Sequence, residues 1–303
     1  MAKRMLLEDQ IRHNKSVTVR LFLILFLILF AIVFGVGYYL QVTPWVTAGF
    51  ALVFGLFYLF MASSFSIPAI LKSARARPAN PMVREEKLLM MRVEEMAIAA
   101  GMPPPKVYIQ EDKDINAFAT GKKPEESIVC FTTGALAALD QEELQGVVAH
   151  ELSHIRNYDI RVTTYAIALI GLIAMVGEMV VRSVFWGGAR HGRSRDAGGG
   201  NIILIVIALA LVILAPILSR MVYFAISRRR EYLADASGAQ LTRNPDGLAR
   251  ALQKIAGTQP EPSHGDRTVA SLYLDNPFRR GVRESAFSTH PPIEKRIERL
   301  RQM

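Results

Sequence analysis

Four stretches of this chain are too long and too free of charge for the surface of a water-soluble protein, and they limit what the rest can fold into. Residues 21–40 read "LFLILFLILFAIVFGVGYYL" without one charged side chain. Twenty helical residues at 1.5 Å each span about 30 Å, the thickness of a bilayer core. Residues 45–62 follow after "QVTP", a polar turn ending in proline, so the two runs are expected to form a tight helical hairpin. Residues 162–181 are apolar apart from threonines and Glu178, and 202–219 are apolar with Pro216 inside. The first run is longer than the apolar core of a cleaved leader, lacks a small-residue cleavage site and is followed at once by a second span, so it is read as an anchor.

The composition agrees. Of 303 residues, 51% are hydrophobic and the mean hydropathy is +0.23, which is too apolar and too blocky for an ordinary soluble enzyme. The net charge of +9 does not mark a nucleic-acid binder, because the basic residues gather at the ends of the apolar runs rather than in one patch. Lys3, Arg4, Arg12, Lys15 and Arg20 precede the first run, Lys72, Arg75, Arg77 and Arg84 follow the second, and the turn between carries none. The positive-inside rule therefore places both ends of this hairpin in the cytoplasm. The second pair is less regular: Arg182, Arg190, Arg193 and Arg195 outweigh Asp196 between its runs, on the side that should be outside. Either both runs span against that bias, which is the reading carried forward, or the hairpin is buried in protein or only partly inserted. Cys130 is the one cysteine, so disulfide frameworks and thiolate clusters are excluded and any metal must take nitrogen and oxygen ligands.

The chain divides on this reading into an arm (1–20), a transmembrane hairpin (21–72), a first soluble piece (73–161), a second hydrophobic hairpin (162–221) and a second soluble piece (222–303). The expected fold is an α+β membrane protein, mostly helical, with a small β-sheet in its catalytic domain. "MVREEKLLMMRVEEMAIAAG" has helical spacing and stops at Gly101; "KVYIQ", "INAFAT" and "SIVCFTT" read as short strands. Asp140 with Glu143 is a capping-box start for a helix from about 141. "SRRREYLADASGAQL", "DGLARALQKIAG" and "PPIEKRIERLRQM" read as helices, and 258–289, rich in Gly, Pro, Ser and charge, as a long loop. No internal repeat is found.

The helix from 141 carries "VVAHELSHIRNYD". Residues four apart on a helix share a face, so His150 and His154 can present imidazole nitrogens to one metal ion, with Glu151 beside them as a base for a metal-held water. Chance alone gives such a motif in roughly one chain per hundred of this length, so context matters. Here a helix start lies ahead, and Val147, Val148, Leu152 and Ile155 can seat the opposite face in a core. Zinc in a hydrolase needs a third protein ligand and an open position. No histidine follows six residues after His154, where Ile160 stands, and His13, His191 and His264 lie in the basic arm, the arginine-rich loop and the long linker. Glu231 is the better candidate, with Asp235 one turn later suited to support a ligand. A hairpin of two spans returns the chain to the side it left, which brings residue 231 back to the 150–154 helix.

"HELSH" between two apolar hairpins, "SRRREYLAD", "DINAFATG" and "STHPPIEKR" together resemble the HtpX-type membrane metalloproteases, gluzincins related to the CAAX prenyl proteases, over nearly the whole chain. That resemblance implies a zincin-like catalytic domain and one Zn2+ per chain, held by His150, His154 and Glu231. It implies Glu151 as catalytic base and acid, and Asp235 as the carboxylate orienting a ligand histidine. Asn116, Ala117, Phe118 and Ala119 would form the edge strand on which an extended substrate pairs, and His290 with Arg296 would steady the oxyanion. The implied activity is a zinc endopeptidase of a bacterial inner membrane, with its active site cytoplasmic. It would cut membrane proteins or misfolded polypeptides in quality control and stress response, at times itself, beside other membrane quality-control proteases and the lipid bilayer, without nucleic acid. Three rivals stay open: an intramembrane protease, disfavoured by Asp140, Glu142, Glu143, Arg156 and Asp159 around the motif; an inactive metal-binding scaffold, disfavoured by Glu151; and a channel or transporter, supported only by Glu178.

Overall fold

The structure, a computed structural model, describes residues 12, 16, 19, 20, 23, 26, 27, 30, 34, 42–165, 167, 228–257, 272–274 and 291–303, without the side chains of 59, 62, 63, 228 and 229. Most of the first and third apolar runs, all of the fourth, and His290 lie outside the described residues. The chain separates into one unit of 17–66 with 165–222 and another of 1–16, 67–164 and 223–303.

In the first unit the described part is chiefly α1 (Pro44–Ser73), a 30-residue helix whose last turns belong to the other unit. Pro44 opens it, where proline's fixed φ suits the first turn and its missing N–H goes unused. Trp45, Phe50, Val53, Phe57 and Phe60 are each more than half exposed along it. Among the described residues, no helix is both long enough and apolar enough to cross a membrane.

The second unit is built on a four-stranded mixed sheet: β1 (Ala76–Pro78), β2 (Lys106–Gln110), β3 (Ala117–Gly121) and β4 (Ser127–Thr132), in the order β1-β2-β4-β3. β2 runs parallel to β4, with Lys106 opposite Ile128, while β3 is antiparallel to β4, with Ala117 opposite Phe131. Alternate residues sort to two faces. Ile109, Ala117, Ala119, Val129 and Phe131 enter the main core with the helices, whereas Phe118 and its partner Cys130 point the other way and are also buried. β1, which sequence reading did not foresee, is three residues ending in Pro78 on the outer edge, where a missing N–H breaks no ladder.

Around the sheet lie α2 (Arg84–Ala99), the short α3 (Thr133–Ala138), α4 (Gln141–Arg156), α5 (Arg228–Thr242), α6 (Pro245–Gly257) and α7 (Ile293–Arg301). The central helix is α4. Its start is the expected capping box: Asp140 Oδ1 accepts from the amides of Glu142 and Glu143 at 2.9 Å each, and Glu143 Oε2 accepts from the Asp140 amide at 2.8 Å. Two glycines let its neighbours come close. A Cβ on Gly146 would sit 2.7 Å from the Leu248 amide of α6, and one on Gly238 of α5 would sit 3.1 Å from the amide of His150. The second approach matters most, because Gly238, Asp235 and Glu231 lie at i+7, i+4 and i on one face of α5. Close packing at Gly238 points both carboxylates at α4.

Candidate metal centre

The face of α4 that meets α5 holds the two histidines of the motif, and Glu231 of α5 stands beside them. His150 Nε2 and His154 Nε2 are 3.2 Å apart; Glu231 Oε2 is 3.8 Å from the first and Glu231 Oε1 is 3.6 Å from the second. Candidate ligand atoms from all three lie within 4.8 Å of one another. A tetrahedral zinc ion with bonds of 2.0–2.1 Å to nitrogen would hold its donors about 3.3 Å apart. The donor set fits such an ion in chemistry and in spacing.

What orients the imidazoles supports the same view. His150 Nδ1 stands 3.0 Å from Asp235 Oδ1, in a bent contact, and His154 Nδ1 stands 3.2 Å from Asp159 Oδ2. A carboxylate beside each Nδ1 is the usual backing of a metal-bound histidine, whose Nε2 then serves as the ligand; Arg296 Nη2 also stands 3.4 Å from His150 Nε2. Asp235 is gripped by Arg296, whose Nε and Nη2 donate to its two oxygens at 2.9 and 2.7 Å. Burial would raise the Asp235 carboxyl, but Arg296 and His150 outweigh it and hold it down at about 2. Burial lowers the Arg296 guanidinium's affinity for its proton, yet Asp235 and Glu231 more than restore it.

For His154, burial disfavours the charged ring, but its bond to Asp159 and the charge of Glu231 push its pKa up to about 9. A proton and a metal ion thus compete for the same place between the rings. Glu151 is 3% exposed and lines the cavity that holds the three candidate ligands. Burial raises its pKa, the nearby histidines pull it back, and Glu231 adds to the rise.

The structure therefore gathers His150, His154, Glu151, Glu231, Asp235 and Arg296. It places Ala117, Phe118 and Ala119 on β3, an edge strand, with Asn116 just before it; Ala119 lines the same cavity. His290 lies outside the described residues. Sequence reasoning missed Asp159. Its position depends on Tyr158, which adopts φ 60 just after α4 ends and turns the chain back on His154. A bulky residue there rarely announces a left-handed turn; an acidic residue five places past the second histidine was the only signal. Leu272 and Leu274, which also line the cavity, were missed too, inside a stretch read as loop.

Comparison with known proteins agrees with this geometry. Residues 84–303 match peptidase family M48. A protease HtpX homolog of Streptococcus uberis is 43% identical over 299 residues, which is 98% of this chain and all of that protein. Homologs of the same name from Ligilactobacillus salivarius and Listeria monocytogenes are 40% and 43% identical, again over 98% of this chain and all of theirs. Among solved structures, S. mikatae Ste24p matches with a TM-score of 0.45 at 16% identity; the match covers 90% of this chain but only 61% of that one, under two thirds of its length.

Proposed function

The chain belongs to peptidase family M48, among the HtpX-type proteases, and from that premise we propose that it is a zinc endopeptidase working at the cytoplasmic face of a bacterial inner membrane. The observation that carries the metal reading is the convergence of His150, His154 and Glu231, with a carboxylate behind each ring. One zinc ion per chain would be held by those three residues; when bound there it supplies a positive centre that acidifies a water and polarises the scissile carbonyl.

The chain's own residues do the rest. Glu151, at the same cavity, takes the proton of the attacking water and passes it to the leaving amine. Its raised pKa suits a group that must carry a proton between those two moments. Asp235 and Asp159 keep the ligand rings in the right tautomer. The strand at Asn116, Ala117, Phe118 and Ala119 is the docking edge for an extended substrate, with Ala117 and Ala119 turning backbone groups outward and Asn116 and Phe118 facing β4, a mode that tolerates many sequences. His290 and Arg296 steady the oxyanion. Arg296 spends Nε and Nη2 on Asp235, and its Nη1, which meets Leu274 O at 3.5 Å and lies 3.7 Å from Glu231 Oε2, is the group assigned to that task.

The membrane reading rests on the apolar runs and on α1, whose exposed Trp45, Phe50, Phe57 and Phe60 make an oily surface suited to lipid. The basic flanks place the active site on the cytoplasmic side. Substrates are then membrane proteins or misfolded polypeptides with accessible cytosolic segments, in quality control under stress, with self-cleavage and other membrane quality-control proteases as companions. Nucleic acid has no part.

The test is cleavage of casein by the full chain in detergent, with metal content measured on the same samples. Wild type should carry one zinc per chain and lose activity to a chelator. Glu151→Gln should keep the zinc and lose about 100- to 10,000-fold in rate. Equal cleavage by both proteins would remove Glu151 from the reaction.

A further inference from the structure

The edge of β3 is already partly taken. Asn116 O accepts from Thr132 N of β4 at 3.1 Å, so the odd-numbered residues that follow turn their backbone groups outward. Ala117 O accepts from Leu274 N at 3.0 Å, and Gly121 N donates to Thr164 Oγ1 at 3.0 Å. Ala119, over the metal ligands, is the outward position between these two ties. A substrate strand laid on this edge meets Leu274 first.

The segment at 272–274 is seated firmly. Tyr273 is 3% exposed; its ring meets Phe118 edge-on at 5.3 Å between centroids, and its hydroxyl donates to Gln110 Oε1 at 2.8 Å. Leu272 and Leu274 turn the other way and wall the cavity that holds Glu151 and the candidate ligands. The segment itself is a turn followed by two bends, tied to β3 by the bond from Leu274 N to Ala117 O. The cavity measures about 40 Å³, room for roughly three waters but not for a polypeptide. Leu274 also reaches the proposed oxyanion group: its carbonyl accepts from Arg296 Nη1 at 3.5 Å. One residue therefore covers both the docking edge and the arginine.

We propose that residues 272–274 are an internal strap that holds the place of a substrate strand beside β3, so that a polypeptide reaches the metal centre only by displacing it. The inference rests on the peptidase reading. With the strap in place water reaches the metal centre but a substrate strand finds Ala117 O on the docking edge taken, which keeps a membrane-anchored protease from cutting its neighbours until a segment able to compete for β3 arrives. Release of Leu274 uncovers the edge strand and removes the carbonyl from Arg296 Nη1 in one event, leaving that nitrogen beside Glu231 Oε2 at 3.7 Å.

The test uses zinc-loaded full-length protein in detergent, with casein and a short fluorogenic peptide as substrates. Tyr273→Ala removes the ring contact and the hydroxyl; Leu274→Pro removes the N–H that Ala117 O accepts. Each should raise kcat/KM about five- to tenfold, mainly through a lower KM, as expected for loss of one net hydrogen bond or ring contact. Tyr273→Phe keeps the packing and should show a smaller rise, which covers the case in which Tyr273→Ala does not fold. Unchanged or lower kcat/KM in folded, zinc-loaded variants overturns the strap and makes 272–274 a fixed wall of the site. Hydrogen exchange on Glu151→Gln gives a second reading: a saturating casein peptide should speed exchange across 272–274, and slower or unchanged exchange overturns the proposal. Absence of cleavage in every protein, wild type included, strikes the peptidase reading instead, and the exchange result then decides the strap.

Discussion

The two histidines of "HELSH" look equivalent in the sequence and live in different surroundings. The His150 side chain is 1% exposed and is backed by Asp235, itself locked by two bonds from a fully buried Arg296. The His154 side chain is 15% exposed and is backed by Asp159, which has Arg230 at the longer distance of 3.6 Å. The first side of the centre is built from three separate elements, α4, α5 and α7, and is dry. The second is made by a local turn at the end of α4 and stands nearer water. One side of the site is thus a piece of the core, and its rigidity depends on the whole unit having folded; the other can exchange protons with its surroundings.

That difference predicts unequal losses when the supporting cations are removed. Arg296→Gln strands the Asp235 carboxylate, 2% exposed, without its partner. Removing one member of a buried ion pair costs about 3–5 kcal/mol, measurable by denaturant unfolding of the chelator-treated protein. Arg230→Gln loosens a longer contact, 3.6 Å from a carboxylate that is also buried, and should cost less than Arg296→Gln. Similar losses from the two would erase the contrast between a locked side and an open one.

Metal affinity should divide along the same line, by a smaller amount. Carboxylates behind ligand histidines are each worth about 10- to 100-fold in metal affinity. Asp235→Asn should fall at the upper end of that range and Asp159→Asn at the lower end, in competition titrations against a chromophoric chelator. The reverse order would show that the turn after α4, not the buried pair, fixes the donor geometry.

How much of this was readable beforehand follows the same division. His150, His154 and Glu151 were legible because a helix turns a fixed spacing into a fixed face. Glu231 and Asp235 were legible because their spacing of four puts both on one face of α5. The capping box at Asp140 and the strands β2, β3 and β4 were equally local. What escaped depends on structure that spacing does not encode. Asp159 reaches His154 only because Tyr158 accepts a left-handed turn. Arg296 was assigned to the oxyanion by resemblance, but its bond to Asp235 requires α7 to pack against α5, across residues that carry no periodic signal. The three residues of β1 and of 272–274 are too short to show alternation at all.

The smallest effect concerns protons, and it isolates the open side. With its pKa held at about 9 against an ordinary value of 6.5, His154 binds a proton more tightly in the folded metal-free protein than in the unfolded chain. The stability this gives is fully present below pH 6.5 and is lost as pH rises through about 9. Metal-free protein should therefore melt at progressively lower temperature across that window. Zinc must displace the same proton, so its affinity should rise about tenfold per pH unit over the same range. The melting curves with and without zinc then diverge as pH increases. Asp159→Asn removes the carboxylate that favours the charged ring, so the divergence should shrink; Asp235→Asn leaves that carboxylate in place and should keep its slope while weakening zinc overall. Parallel melting curves from pH 6.5 to 9 in the wild type would mean that His154 is neutral before the metal arrives, and would overturn the proton competition at this side of the centre.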